Sequence, residues 1–74
     1  MRERILAILS GLRPECDFIN SENYIENELL DSMDIVALVA CIEEDFGIRI
    51  PGTDISAKHF VNLDSIVQLI EKYR

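Results

Sequence analysis

Apolar residues recur at helical spacing in three stretches, separated by segments with no sustained period. Between Arg2 and Leu12, the residues Ile5, Ile8, Leu9 and Leu12 fall at i, i+3, i+4 and i+7, which predicts an amphipathic helix. Gly11 and Pro14 predict its end. The strongest pattern runs from Ser32 to about Phe46, with Ile35, Leu38, Val39, Ile42 and Phe46 on one face. Asp31 and Ser32 both suit the N-cap of that helix, and Gly47 suits a left-handed cap beyond it. The last helix is predicted from Leu63 to about Tyr73 behind an Asn62 cap, with Leu63, Ile66, Val67, Ile70 and either Tyr73 or Leu69 inward. Lys72 and Arg74 suit its negative end.

The connections differ in character. From Arg13 to Asp31 there is no period, and a loop of that length is unusual in so small a unit. Phe18, Ile19, Tyr24, Ile25, Leu29 and Leu30 are spaced to pin it against a bundle. Ile48-Arg49-Ile50-Pro51 alternates like an extended segment that tucks two isoleucines inward, and Pro51-Gly52-Thr53-Asp54 reads as a turn. Ser56 to Phe60 is expected to form one short helix capped by Ser56. The expected fold is therefore all-α: three main helices plus one short helix, with a long first loop, in one domain spanning residues 1–74.

Seventy-four residues permit one thin core. Hydrophobic residues at 49% against 28% charged argue for a folded chain rather than a disordered one. The longest apolar run, Ile35 to Ile42, is far short of the roughly 20 residues that span a bilayer, and no secretory leader pattern precedes it. A cytoplasmic monomer is the expectation. Cys16 and Cys41 are too few for a disulfide framework and lack metal-ligand neighbours; Cys41 reads as a core or near-core thiol and Cys16 as incidental.

Charge changes the picture more than composition does. Between Arg13 and Arg49 there is no Lys or Arg, while the interval holds ten acids: Glu15, Asp17, Glu22, Glu26, Glu28, Asp31, Asp34, Glu43, Glu44 and Asp45. That field repels nucleic acid and attracts a protein with a basic patch. Glu43, Glu44 and Asp45 also oppose the dipole at the end of the second helix, a locally unfavourable choice of the kind that marks function. Met33, Val36 and Ala40 form a second apolar row outside the core stripe, which either buries against the long loop or, as the favoured expectation, stays exposed as a docking patch beside Ser32.

Catalytic chemistry finds no support. His59 has no Asp, Ser or Cys partner at a recognisable spacing, no glycine-rich phosphate loop is present, and no metal-ligating set emerges. Asp31 and Asp34 lack the glycine and terminal glutamate of a calcium loop. Ser32 stands out instead as an accessible hydroxyl at a helix start, where an attached phosphate would meet free N–H groups and the positive dipole end.

Leu30-Asp31-Ser32-Met33, then Ile42-Glu43-Glu44-Asp45-Phe46 and Ile48-Arg49-Ile50-Pro51, resemble in order and spacing the acyl carrier proteins and their peptidyl and aminoacyl relatives. The resemblance implies that Ser32 carries 4′-phosphopantetheine, with Asp31 as its preceding acid. It also implies that Met33, Asp34, Val36, Glu43, Glu44 and Phe60 face partner enzymes, the match at Phe60 requiring an insertion. The implied partners are a phosphopantetheinyl transferase, which would supply the group from coenzyme A, and enzymes that load or transfer acyl or aminoacyl groups. Ala37 stands where many fatty-acid carriers have an acid, and Glu28 where relatives often have glycine. Glu26 to Met33 looks closer to the D-alanyl and other aminoacyl carriers, whereas Asp34 and Ile50-Pro51 look more like the acyl carriers. The leading expectation is a non-catalytic acyl carrier. The alternatives are an aminoacyl or peptidyl carrier and an unmodified acidic helical interaction module.

Overall fold

A computed structural model describes all 74 residues, which form three α-helices: α1 (Arg2–Leu12), α2 (Ser32–Phe46) and α3 (Leu63–Tyr73). The bounds follow the local chemistry. Asp31 caps α2, Asn62 caps α3 by accepting from Ser65 N–H at 2.8 Å, and Gly47 ends α2 at φ 64°, where a residue with Cβ would be strained. Gly11 lies inside the last turn of α1 rather than ending it. The short helix expected at Ser56–Phe60 is present as a 3₁₀ turn over Ala57–His59, without a side-chain cap from Ser56, and the turn expected at Pro51–Asp54 is a second 3₁₀ turn over Gly52–Asp54. The segment from Pro51 to Phe60 has no apolar period to sustain a longer helix.

The interior is built from one stripe of each helix and a few residues of the connections. Ile5 and Leu9 from α1, Ile35, Leu38, Val39 and Ile42 from α2, and Ile66, Leu69 and Ile70 from α3 are buried. Phe46, expected in the core, is only half-buried in the last turn of α2. Ile50 and Phe60 complete the core, and no polar or charged residue is buried with them. Cys16 packs against this core, while Cys41 lies half-buried beside α1, the reverse of the ranking expected for the two thiols.

Nineteen residues of loop are held mainly by Tyr24. Its ring packs edge-on against Phe18, with centroids 5.1 Å apart, and its buried hydroxyl donates to the Phe18 carbonyl at 2.6 Å. Burial pushes its phenolic pKa up. The Tyr24 N–H donates to Val61 O, and its carbonyl accepts from both Leu29 and Leu30 N–H, so one residue ties the loop to itself and to the approach of α3. Leu30 then plugs the core immediately before Asp31. Ile19, expected among the pins, points outward and is 77% exposed.

Glu28 is the single non-glycine residue in the left-handed region, at φ 60°. An L-residue pays a steric cost there that glycine avoids, partly offset by glycine's greater freedom when unfolded. Glu28→Gly is expected to raise stability by about 0.5–1 kcal/mol. Urea titration checks this, with Glu28→Ala as a control that keeps the strain while removing the charge.

Candidate functional site

The start of α2 is assembled by a reciprocal pair of hydrogen bonds. Asp31 Oδ1 accepts from Asp34 N–H at 2.9 Å, and Asp34 Oδ2 accepts from Asp31 N–H at 3.2 Å, forming a capping box. Ser32 is thereby fixed as the first helical residue, exposed to solvent. The Asp34 N–H bond, with smaller help from Met33 N–H and Arg13, holds the Asp31 carboxyl below the usual carboxylate range.

Asp34 does not face outward as expected. Its side chain is 16% exposed and pairs at 2.8 Å with Arg13, which also reaches Glu15 at 3.0 Å. The reason is that the capping box turns the Asp34 carboxylate back toward the end of α1, where Arg13 waits. Asp34 is the main cause of the raised Arg13 pKa. Arg13 thus links the end of one helix to the start of the next, a role that spacing along the chain does not reveal.

Phe60 requires a larger correction. It is completely buried, so it serves the core rather than a partner-facing surface. Phe60 directly follows the Ala57–His59 3₁₀ turn, its N–H donates to Ala57 O, and its ring belongs to the core cluster. Glu43 is half-buried, and its Oε2 accepts from Ile50 N–H at 2.8 Å, anchoring the extended segment after α2. Asp45 pairs with Arg4 at 3.2 Å. Of the three acids that oppose the α2 dipole, only Glu44 is exposed without an ion pair or hydrogen bond.

Met33, Val36 and Ala40 do lie on the surface, with Met33 76% and Val36 62% exposed. Beside them a cleft of about 290 Å³ opens at Ser32. Asp31 and Ser32 stand at its rim, Ile25, Leu30, Ile35 and Val36 form one wall, and Ile55, Ser56 and Ala57 form the other. No local pattern brings Ile25, Ile55 and Ser56 together, because they lie in aperiodic segments about thirty residues apart.

Residues 4–70 match the family described as Phosphopantetheine attachment site. The chain is 37% identical over 71 residues to an acyl carrier protein of Buchnera aphidicola, covering 96% of this chain and 87% of that one. The chain belongs to the acyl carrier protein family. Acyl carrier proteins of Campylobacter lari, at 34% identity over 86% of this chain and 82% of the relative, and of Helicobacter pylori, at 36% over 93% and 78%, are similar to it over comparable spans. Its function is that of a phosphopantetheine-bearing acyl carrier, a class that is generally non-catalytic and works with modifying and acyl-handling enzymes. These relatives favour an acyl carrier over an aminoacyl carrier or an unmodified interaction module. No helix is long and apolar enough to cross a membrane. The residues of the site fit the prosthetic group: an exposed hydroxyl at a helix start, an apolar cleft beginning at that hydroxyl, and a hydroxyl without a partner in the cleft wall.

The acyl carrier's cap makes a pH prediction. A carboxyl whose pKa is depressed by folding adds stability that is present above its unfolded value, near 3.8, and is lost as pH falls through the folded one. Asn caps as well as Asp but does not titrate. Asp31→Asn should therefore be no more acid-sensitive than the parent, and the melting-temperature gap between them should close or reverse below about pH 4, as thermal scans from pH 7 to 3 would show.

Proposed function

We propose that Ser32 is the attachment serine, and that the exposed start of α2 is the surface offered to partners. The observation that carries this reading is the convergence of an exposed hydroxyl, a capped helix start and the mouth of an apolar cleft on one residue. On loading by a phosphopantetheinyl transferase, Ser32 Oγ forms a new O–P bond to the phosphorus bearing the pantetheine of coenzyme A. The bond from that phosphorus to the nucleotide breaks, 3′,5′-ADP leaves, and the serine proton passes to the transferase.

The carrier itself supplies no base. Asp31 is the nearest carboxylate in sequence, but it is committed to the Asp34 N–H and its basicity is lowered by that bond. Asp31 acts instead by fixing the direction of the helix, so that Ser32 leaves the surface at a set angle and the phosphodiester sits over the positive end of α2. The group, when bound, supplies the thiol that holds an acyl chain as a thioester.

Partner contact divides between charge and apolar area. Glu44 and Asp31 supply exposed negative charge that speeds encounter with a basic partner surface, while Met33 and Val36 supply the area that sets residence. Met33 suits several partners because an unbranched thioether adapts its shape. Glu43 has a divided role, since it also anchors Ile50. The partners proposed are the transferase and enzymes that load and remove acyl groups.

Three variants test this. Ser32→Ala should keep native helical content and gain no mass when incubated with transferase, Mg²⁺ and coenzyme A, while Ser10→Ala, Ser21→Ala and Ser65→Ala still load; loading of Ser32→Ala would sink the assignment. Glu44→Lys should cut the association rate with the transferase by roughly threefold at low salt, with the gap narrowing as NaCl is added. Glu43→Lys should in addition lower the melting temperature, because it removes the acceptor for Ile50 N–H.

A further inference from the structure

Asp34 is the first acid after Ser32, in the first turn of α2, and a cation of the same chain stands against it: Arg13 Nη1, at 2.8 Å. The residues before it, Asp31, Ser32 and Met33, are all exposed, so the pair sits at the edge of an open surface. Both hydrogen bonds that Asp34 accepts, from Asp31 N–H and from Arg13, fall on Oδ2, and Oδ1 accepts none. Arg13 is the last Lys or Arg before Arg49, so this acid is the one beside Ser32 that the chain neutralises with its own charge.

Arg13 has a second resting place. Its Nε donates to Glu15 at 3.0 Å, and the Glu15 side chain is 64% exposed. A guanidinium that lets go of Asp34 keeps that carboxylate, and the two bonds of the capping box survive because neither involves Arg13. Release therefore costs one partly exposed ion pair, roughly a two- to fivefold change in an equilibrium constant, and leaves the helix start intact. An arginine or lysine from outside offsets that cost by bonding the freed carboxylate, Oδ1 included.

We propose that Arg13 is a specificity-determining residue, an internal competitor that holds Asp34 against the cations of a docking partner. A partner engages Asp34 only by displacing Arg13 onto Glu15. A surface with scattered positive charge then gains little beside Ser32, whereas one that aims a cation at Asp34 gains a bond, and every such contact is shorter-lived than it would be with Asp34 free. This rests on the reading of the start of α2 as the surface offered to partners.

The test measures association and dissociation rates of the unloaded chain with a phosphopantetheinyl transferase, without coenzyme A, by stopped-flow fluorescence, with the helical content of each variant checked by circular dichroism. Arg13→Gln should associate about threefold faster and dissociate about threefold more slowly than the parent. In an Asp34→Asn background, Arg13→Gln should no longer slow dissociation, because no carboxylate is left to unmask. Glu15→Gln, which lies outside the helices, removes the group that receives Arg13 and should speed dissociation about twofold. Arg74→Gln, a loss of one positive charge beyond α3, should leave dissociation unchanged. Dissociation of Arg13→Gln that is unchanged, or faster with native helical content, would overturn the proposal, making Arg13 a strut for α2 or a contact in its own right. Equal effects of Arg13→Gln and Arg74→Gln would reduce it to net charge and overturn it too, as would slowing that persists in the Asp34→Asn background. A parent chain that gains no mass once coenzyme A and Mg²⁺ are added would overturn the reading of Ser32 and this proposal with it, a result read by mass and separate from the rates.

Discussion

Tyr24 turns a long, aperiodic loop into a fixed support. Its ring contributes buried area that nothing else between α1 and α2 matches, and its hydroxyl, N–H and carbonyl are all satisfied by groups that the loop would otherwise leave orphaned. The carbonyl that accepts from Leu29 and Leu30 positions the turn leading directly into Asp31. The direction of α2, the exposure of Ser32 and one wall of the cleft all depend on this residue. A phenylalanine would fill the same space but leave the Phe18 carbonyl without its donor in an apolar interior.

Charge in this chain has two uses that the composition merges. The acidic interval looks uniform as a count, yet Asp34 holds Arg13, Asp45 holds Arg4, Glu43 holds Ile50 N–H, and Asp17 accepts from Ile19 and Asn20. What remains for long-range steering is a smaller set that includes the exposed Asp31 and Glu44 on α2 and its cap. Such exposed charges act mainly on encounter, whereas the internal contacts maintain shape. The same residue type therefore serves recognition at one position and architecture one turn away.

The helices were legible because period and caps agreed. The stripe Ile35, Leu38, Val39, Ile42 fixed α2, and Asp31, Gly47 and Asn62 marked ends that the structure keeps. Ser32 was legible for the same reason, as a hydroxyl at a well-marked start. The connections were not, because their geometry is decided by single contacts between distant segments. Nothing local says that Arg13 meets Asp34, that Ser56 meets the cleft, or that Phe60 turns inward while Ile19 turns out. An isolated apolar residue in an aperiodic segment carries no direction, so pattern alone places neither the ring of Phe60 inside nor the side chain of Ile19 outside.

The Tyr24 N–H to Val61 O bond has a mechanical consequence for the cleft. One wall follows Tyr24 along the chain and the other ends four residues before Val61, so the two are joined at their back by a backbone bond. No hydrogen bond crosses between the walls themselves. The cleft is therefore tied at its back by a directional bond and bounded at its front by apolar contact alone. Closing or parting that front exchanges apolar area with water at about 25 cal/mol per Å² and breaks nothing directional. An occupant of the cleft therefore meets mainly apolar side chains and has no inter-wall hydrogen bond to displace.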